Sequence, residues 1–251
     1  MSVGDNLAAR MRLLRIALGR RYIFDDLASI VREHGFQVDD LKGSVEPFSL
    51  LERVLGKEVC ELPNFQSCIP SDMIDERDYT VGWSAEPSVS LFLGRLAVAS
   101  RASTIVEVGS FIGWTSAHLA LALEFMGDAR GVLHLIECNA GYLEKASANL
   151  TKLGLQRWTR LHVGHSLDST LLAKLPEKAD LIFLDTSHSY EDTSRELSIY
   201  LLRVAPGGCL ALHDSVNAPG VRRAIHDLRS ACYIHTFATE RGNGLTVLFP
   251  Q

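Results

Sequence analysis

The sequence predicts an α/β protein with a doubly wound, mostly parallel sheet of seven strands, an antiparallel last strand and a helical N-terminal extension. Three observations lead to this fold class. From Thr104 onward, short apolar runs of strand length alternate with helical segments. Four of these runs end in a carboxylate. The final two runs are joined by a short linker containing Gly-Asn-Gly, which is typical of a hairpin and therefore of a reversed last strand.

The predicted strands are apolar runs of five to seven residues. They are Thr104–Val108, Val132–Ile136, Thr159–Val163, Asp180–Leu184, Cys209–His213, Cys232–Ala238 and Leu245–Phe249. Helical periodicity fills the intervals between the earlier runs, with predicted helices at 88–100, 116–126, 141–153 and 191–203 and a last one after Pro219. Proline at a helix start and glycine just beyond a helix end mark several of these boundaries. The helix over 191–203 is predicted to close with the turn Ala-Pro-Gly-Gly.

The N-terminal third carries no visible chemistry. Residues 1–85 are predicted to form a helical accessory or lid region, and residues 86–251 the main domain. Two helices are expected over 5–34 and a further short one over 41–56. Residues 63–87 show no periodicity, and a loop this long inside a domain is more often functional than idle. We expect a substrate lid there, with an ordinary connector as the alternative.

Composition restricts the function classes. The net charge of −5 and the absence of a basic aromatic stripe argue against nucleic-acid binding. Five cysteines without a C-x-x-C pair suit free thiols in a reducing compartment, so a cytoplasmic location is expected. No apolar run approaches the roughly 18 residues of a membrane span. These observations argue against nucleic-acid and membrane partners.

The segment Thr104–Thr115, TIVEVGSFIGWT, is the most informative stretch. It combines a strand, a glycine-spaced loop and the start of a helix, which together make a cofactor cradle in an open α/β sheet. Glu107, Gly109 and Gly113 give the spacing E-x-G-x-x-x-G rather than the dinucleotide pattern G-x-G-x-x-G. A longer loop preceded by a carboxylate favours a cationic, phosphate-free ligand. A purely structural glycine turn is the alternative.

The four carboxylates at strand ends are Glu107, Glu137, Asp185 and Asp214. Ligands of open parallel sheets bind outside the carboxyl ends of the strands, near the point where the strand order reverses. A single acidic strand end is usually a helix cap or a solvated turn. Four of them at one crevice favour a binding site, in which Glu137 is placed to accept both hydroxyls of a ribose.

From about residue 86 to the C-terminus, the sequence resembles the class I S-adenosylmethionine-dependent methyltransferases, which have a Rossmann-like fold. EVGSFIGWTS is similar to their first motif, Glu137 to their ribose-binding acid, and APGGCLALHD to their fifth strand with its leading turn. Within the class, DLIFLDTSHSYED and LHDSVNAPGVRRAI resemble bacterial small-molecule O-methyltransferases, many from natural-product pathways, and more distantly catechol-type enzymes.

This resemblance implies S-adenosylmethionine as the cofactor and assigns roles to residues around it. The methionine part would lie on the glycine loop, the ribose on Glu137, the adenine beside Cys138 and the adenine edge under His165 and Ser166. The implied cofactor-binding residues are Glu107, Gly109, Ser110, Phe111, Gly113, Thr115, Glu137, Cys138, His165, Ser166 and Asp185.

The resemblance also implies a reaction centre. Asp185 and Asp214 match carboxylates that bind a divalent metal, Mg²⁺ or Mn²⁺, in catechol-type enzymes, and His188 stands where those enzymes have a lysine base. His213 matches a position that is acidic in related sugar O-methyltransferases. The third metal ligand of the catechol type, an asparagine, is Ser215 in this chain. A metal-free pair of base and orienting acid therefore stays open as an alternative.

The expected reaction is methyl transfer to a hydroxyl of a small molecule, with His188 as base and Asp214, assisted by His213, orienting the acceptor. Trp83 and Phe111 are candidates for an aromatic wall beside a planar acceptor, whereas Trp114 is assigned to packing. Nitrogen or carbon acceptors, an NAD(P)-dependent oxidoreductase and a methyltransferase-like subunit without turnover are the alternatives. The helical N-terminus favours a homodimer.

Overall fold

The computed structural model describes residues 38–40, 51–52, 54–56, 65, 69, 83–239 and 241–251. The helices predicted over 5–34 and most of the predicted lid at 63–87 lie outside these residues. Helical backbone is present at 51–52 and 54–55, within the helix predicted over 41–56. The division of the chain at residue 85 stays a prediction.

A single mixed sheet with eight described strands organises the molecule, in the order β1-β7-β8-β6-β5-β2-β3-β4. Its strands are β1 Val38–Asp40, β2 Thr104–Val108, β3 Val132–Glu137, β4 Thr159–Val163, β5 Ala179–Leu184, β6 Val204–His213, β7 Cys232–Ala238 and β8 Leu245–Pro250. The seven predicted strands are all present. The eighth, β1, pairs parallel with β7 at the sheet edge and has only three residues, too few to show a periodic pattern.

Six α-helices connect these strands within the described part of the chain. They are α1 Pro87–Ser100, α2 Trp114–Met126, α3 Ala140–Lys152, α4 Ser169–Leu172, α5 Tyr190–Tyr200 and α6 Pro219–Asp227. Short 3-10 turns at Gln156–Trp158 and Leu201–Arg203 precede β4 and β6. The turn Ala-Pro-Gly-Gly, expected to close a helix, belongs instead to the beginning of β6, where the pairing with β5 is irregular.

The predicted reversal of the last strand is confirmed. β8 runs antiparallel to both of its neighbours, β6 and β7, whereas the other strand pairs are parallel. The chain order reverses between β2 and β5: β3 and β4 extend the sheet on one side of β2, and β5 returns to its other side. The carboxyl ends of β2 and β5 therefore form the topological switch point at which ligands of such sheets bind.

Two hydrophobic layers cover the two faces of the sheet. Alternate residues of β5 point to opposite faces, so Leu181 and Phe183 pack with α1 and α2 while Ile182 and Leu184 pack with α5 and α6. This burial on both faces explains the uninterrupted apolar run of a central parallel strand. Buried residues from the N-terminal third, such as Leu51 and Phe65, join the first layer. Among the described helices, none has the length and hydropathy that crossing a bilayer requires.

Candidate active site

The loop between β2 and α2 begins at the switch point with Gly109. Its amide donates a 2.8 Å hydrogen bond to the carbonyl of Ile136 on β3, and the Asp185 amide donates a 2.9 Å bond to the carbonyl of Val108. Gly109 has a φ of +88°, and a Cβ there would overlap the Asp185 carbonyl. Glycine is therefore required for the ends of β2 and β5 to approach this closely.

Glu137, at the end of β3, is held by the backbone of both neighbouring loops. Phe111 N–H donates to its Oε2 at 3.0 Å and Asn139 N–H donates to its Oε1 at 2.8 Å. The Cys138 thiol, on an exposed residue, lies 3.4 Å from the same Oε1. A backbone N–H bond to each oxygen fixes the plane of the carboxylate. Oε2 keeps a lone pair for a diol hydroxyl, and the second lone pair of Oε1 is met only by the weak thiol donor, which a second hydroxyl can replace.

Glu107 lies below this crevice and is almost completely buried. Ser116 in α2 donates a 2.6 Å hydrogen bond to its Oε2. Burial, reinforced by the negative charges of Asp185 and Glu137, raises the pKa of Glu107 to about 8. This carboxyl is therefore mainly protonated at neutral pH and ties β2 to α2. Direct contact between Glu107 and a cofactor stays a prediction.

Three other residues predicted for cofactor binding line the beginning of α2. Within the described part of the chain, the buried hydroxyl of Ser110 has no hydrogen-bond partner, which leaves it available to a ligand of the loop. Gly113 is the N-cap of α2, with a φ of +87°. The Thr115 hydroxyl instead shares a 3.0 Å hydrogen bond with Ser90 of α1, so it joins two helices.

His165 and Ser166 follow β4, as predicted, but their side chains differ in environment. The Ser166 hydroxyl is buried and donates to Glu196 of α5, while its carbonyl accepts a 2.9 Å bond from the Tyr200 hydroxyl. Ser166 therefore anchors the loop to α5. His165 is exposed, and its Nδ1 accepts the 3.2 Å bond from the Leu167 amide, which leaves Nε2 free to donate at the crevice rim.

The residues predicted for catalysis meet at the ends of β5 and β6. His188 Nε2 lies 2.9 Å from Asp214 Oδ2, and His213 Nδ1 lies 3.1 Å from the same oxygen and 3.4 Å from Asp185 Oδ1. Donor atoms of Asp185, His188 and Asp214 all lie within 4.8 Å of one another. His188 is half-exposed, whereas His213 is buried. The structure thus brings together all four side chains from two strand ends.

A fifth group of this cluster, Glu86, escaped the sequence analysis. Its Oε2 lies 2.6 Å from His213 Nε2, and its Oε1 accepts a 2.6 Å hydrogen bond from the Thr239 hydroxyl. Glu86 is completely buried at the N-cap of α1. The sequence signal was an acidic residue directly before Pro87, which indicated only a helix boundary, because its partners are 127 and 153 residues away.

The protonation equilibria of the cluster follow from this pairing. Burial alone would lower the pKa of His213, but Asp185, Asp214 and Glu86 outweigh it and raise that pKa well above its usual value. Burial would raise the pKa of Asp214, but hydrogen bonds from both histidines hold it well below its usual range. The hydrogen bond with Asp214 raises the pKa of His188. The pairing of His213 with Asp214 therefore favours an imidazolium beside a carboxylate.

Three aromatic rings stand beside the glycine loop. The Phe111 ring centroid lies 5.7 Å from that of Trp83 and 4.6 Å from that of Tyr142 in α3. Trp83 is 56% exposed, which is unusual for so large an apolar side chain. Trp114 packs against the hydrophobic core and against His118, in agreement with its predicted packing role. Tyr142 was not predicted, since helical periodicity alone does not distinguish a crevice-facing position.

Comparison with known proteins agrees with this geometry. Residues 106–215 match a family model described as a methyltransferase domain. The O-methyltransferase TomG from Streptomyces achromogenes, involved in tomaymycin synthesis and solved with SAM, is 22% identical with a TM-score of 0.61, covering 81% of this chain and 96% of that one. An O-methyltransferase from Bacillus cereus in complex with SAH is 16% identical with a TM-score of 0.59, covering 84% and 94%. These likenesses show the fold.

A curated relative, a catechol O-methyltransferase from Niastella koreensis, is 27% identical over 141 residues, or 55% of this chain. The aligned part spans 60% of that relative's length.

Proposed function

Because the chain has the class I S-adenosylmethionine-dependent methyltransferase fold and a methyltransferase domain at residues 106–215, we propose that it is an O-methyltransferase of small molecules. The carrying observation is the 2.9 Å contact between His188 and Asp214 on one side of the switch point, with Glu137 anchored at the end of β3 on the other side. One end of the crevice is built to hold a nucleoside and the other to move a proton. A methyl transferase acting on a hydroxyl needs both.

The residues around the glycine loop fit S-adenosylmethionine. Gly109 keeps the loop backbone close to β5, Ser110 offers a buried hydroxyl with no partner among the described residues, and the Glu137 carboxylate, held by two backbone amides, can accept from a ribose diol. When bound, this cofactor supplies a methyl group on a sulfonium, which is transferred by in-line displacement. The protein then contributes mainly alignment, which in the best intramolecular cases supplies about 7–11 kcal/mol.

His188 is the proposed general base. When its Nε2–H is directed at Asp214, the imidazole lone pair lies on Nδ1, and this atom accepts the proton of the acceptor hydroxyl. Asp214 then stabilises the imidazolium that forms, and it fixes the ring orientation. Half-exposure of His188 leaves room for an acceptor beside the ring. Asp214, supported by His213, orients the acceptor.

A divalent metal is the finer part of the proposal. Asp185 and Asp214 offer two carboxylates whose oxygens lie within 4.8 Å of each other, a pair that fits Mn²⁺ or Mg²⁺ with the remaining positions filled by water, while His188 keeps its role as base. Such an ion would lower the pKa of the acceptor hydroxyl and hold the oxygens of the acceptor in position. Titrating the protein with Mn²⁺ and following free Mn²⁺ by electron paramagnetic resonance tests this. Loss of Mn²⁺ binding in Asp185→Asn supports the site, and no binding by wild type rejects it.

We further infer that the acceptor is a planar hydroxyl compound of secondary metabolism. The exposed Trp83 ring and the neighbouring Phe111 ring, inclined at 56° to each other, offer an apolar aromatic wall beside the glycine loop. The catechol enzyme and TomG among the similar proteins support this substrate class. Turnover of a panel of phenols, catechols and sugars, followed by release of S-adenosylhomocysteine, would identify the class.

The proposed setting is the cytoplasm, with the chain as a homodimer that binds neither nucleic acid nor membrane. Cys138, Cys209 and Cys232 are free thiols, as suits a reducing compartment, and the net charge is −5. Light scattering coupled to size exclusion tests the dimer, and fractionation of the source cells tests the location.

Ligand-dependent stability tests the function directly. A ligand that binds only the native state raises stability by RT ln(1 + [L]/Kd), about 2.7 kcal/mol at 100 times Kd. S-adenosylhomocysteine is expected to raise the Tm, and NAD⁺ is expected to leave it unchanged. The reverse result would establish the oxidoreductase alternative. Binding of S-adenosylhomocysteine without turnover of any acceptor in the panel would favour a non-catalytic subunit.

A further inference from the structure

The Glu86 carboxylate lies in the middle of a continuous hydrogen-bonded chain. Gly244 N–H donates to the Thr239 hydroxyl oxygen at 2.9 Å, and the Thr239 hydroxyl donates to Glu86 Oε1 at 2.6 Å. Glu86 Oε2 accepts from His213 Nε2 at 2.6 Å. His213 Nδ1 then reaches Asp214 at 3.1 Å. The chain thus runs from the β7–β8 hairpin, through the start of α1, to the reaction centre.

Two features show that the Glu86 side chain is directed at His213 rather than at its own helix. A buried carboxylate is costly unless hydrogen-bonded, and both Glu86 oxygens have a partner. A helix N-terminus also favours a negative charge, and Glu86 is the N-cap of α1. Yet its side chain makes no capping bond to α1 and extends instead to β6 and the hairpin. Local helix stability therefore does not account for this conformation.

The bonding pattern determines what Glu86 does to the ring. An ionised carboxylate only accepts hydrogen bonds, so the hydrogen on the Nε2 side must belong to His213. With Nε2 held at 2.6 Å, the ring plane is fixed, and Nδ1 lies between Asp214 and Asp185. Without Glu86, a buried ring on β6 would keep its packing but lose the group that sets its rotation.

We propose that Glu86 is a positioning residue for methyl transfer: it orients His213 so that Nδ1 bridges Asp185 and Asp214, the carboxylates that face the acceptor. This inference rests on the proposed function and adds a residue to it. Thr239 belongs to the same hydrogen-bonded chain, since its hydroxyl donates to the second Glu86 oxygen. None of the cofactor-cradle residues contacts Glu86 in the described hydrogen bonds, so cofactor binding should not depend on it.

The test uses the full chain with ¹⁵N-labelled histidine, in which the His213 ring N–H signals are assigned by their loss in His213→Gln. In wild type, we expect a slowly exchanging Nε2 proton. In Glu86→Gln, that proton should exchange with water at least tenfold faster, while the affinity for S-adenosylhomocysteine changes less than twofold. The matched control is Asp180→Asn, which removes a half-buried carboxylate from the opposite end of the sheet, where it accepts from Ser103 and Thr104.

Activity gives a second readout with catechol as acceptor. Glu86→Gln should lower kcat at least tenfold with the KM for S-adenosylmethionine unchanged, and Asp180→Asn should change neither. If Glu86→Gln does not fold, Thr239→Val replaces it, and its His213 signal should exchange several-fold faster. A His213 signal unchanged in whichever variant folds overturns the inference. Failure of wild type to bind S-adenosylhomocysteine would instead reject the proposed function, and the imidazole signals would still decide the role of Glu86.

Discussion

The backbone carbonyl of Asp185 occupies the space in which a side chain at Gly109 would begin. This contact joins the ends of β2 and β5, the two strands that border the crevice, and it is sealed by the bond from the Asp185 amide to Val108. Gly109, which the sequence motif assigned to the close approach of a ligand, is therefore required first for the contact between β2 and β5. The two requirements agree, because the same closeness of strands creates the switch point.

Gly109→Ala is expected to lower the free energy of unfolding by about 3 kcal/mol, since the methyl group adds overlap with Asp185 to the strain of a positive φ. Gly154→Ala is the matched control: Gly154 has a φ of +72° and nothing near the added methyl. It should cost about 1 kcal/mol from strain alone. Urea denaturation measures both. If both variants lose the same free energy of unfolding, the ends of β2 and β5 can move apart to accept the methyl group at no cost in stability.

Glu137→Gln is expected to weaken S-adenosylhomocysteine binding by about 10- to 100-fold, because charge-assisted hydrogen bonds contribute about 1.5–3 kcal/mol. The measurement is isothermal titration calorimetry. Glu144 is an exposed carboxylate on α3, and the control variant Glu144→Gln should bind S-adenosylhomocysteine with wild-type affinity. An unchanged affinity in Glu137→Gln would remove this residue from the ribose site.

Glu107→Gln is expected to change the pH dependence of stability. The folded pKa of Glu107, about 8, lies above the ordinary pKa of 4.5 for a glutamate, so the folded state binds more protons between these two pH values. The stability contributed by this group is complete below about pH 4.5 and is lost as pH rises through 8. Glu107→Gln removes this loss. The variant should gain at least about 1 kcal/mol relative to wild type between pH 5 and pH 9.

Urea denaturation at a series of pH values measures this difference, with Glu144→Gln as the exposed control. Comparing each variant with wild type at the same pH cancels the contribution of the histidines. Parallel stability curves for Glu107→Gln and wild type would show that Glu107 is ionised in the folded protein.

His188→Ala is expected to reduce kcat by about 10²–10⁴-fold, the usual contribution of a general base. Affinity for S-adenosylhomocysteine should stay within twofold, since the imidazole contacts Asp214 rather than the glycine loop. His165→Ala provides the contrast, because an exposed crevice-rim histidine should affect cofactor affinity more than kcat. Turnover of the best acceptor in the panel gives the measurement. Full activity in His188→Ala would require another base.

The sequence predicted most of the sheet because each strand is a local apolar run bounded by its own turn signals. Thr159–Val163 and Cys232–Ala238 have the predicted bounds, and the hairpin signal correctly reversed β8. The two misjudged places are explained by tertiary pairing. β1 is a strand because β7 offers it an edge, and the Ala-Pro-Gly-Gly turn is drawn into β6 by β5.

The sequence by itself determined the fold class, the acidic strand ends and the candidates Glu137, Asp185, His188 and Asp214, since the positions of strands along the chain and side-chain chemistry are local or periodic properties. The tertiary structure alone decided which of these groups share a proton or a hydrogen bond. Burial made Glu107 a mainly neutral carboxyl of the core, and folding across 127 residues brought Glu86 to His213. Desolvation and pairing depend on distances between distant segments, and these exist only once the sheet has formed.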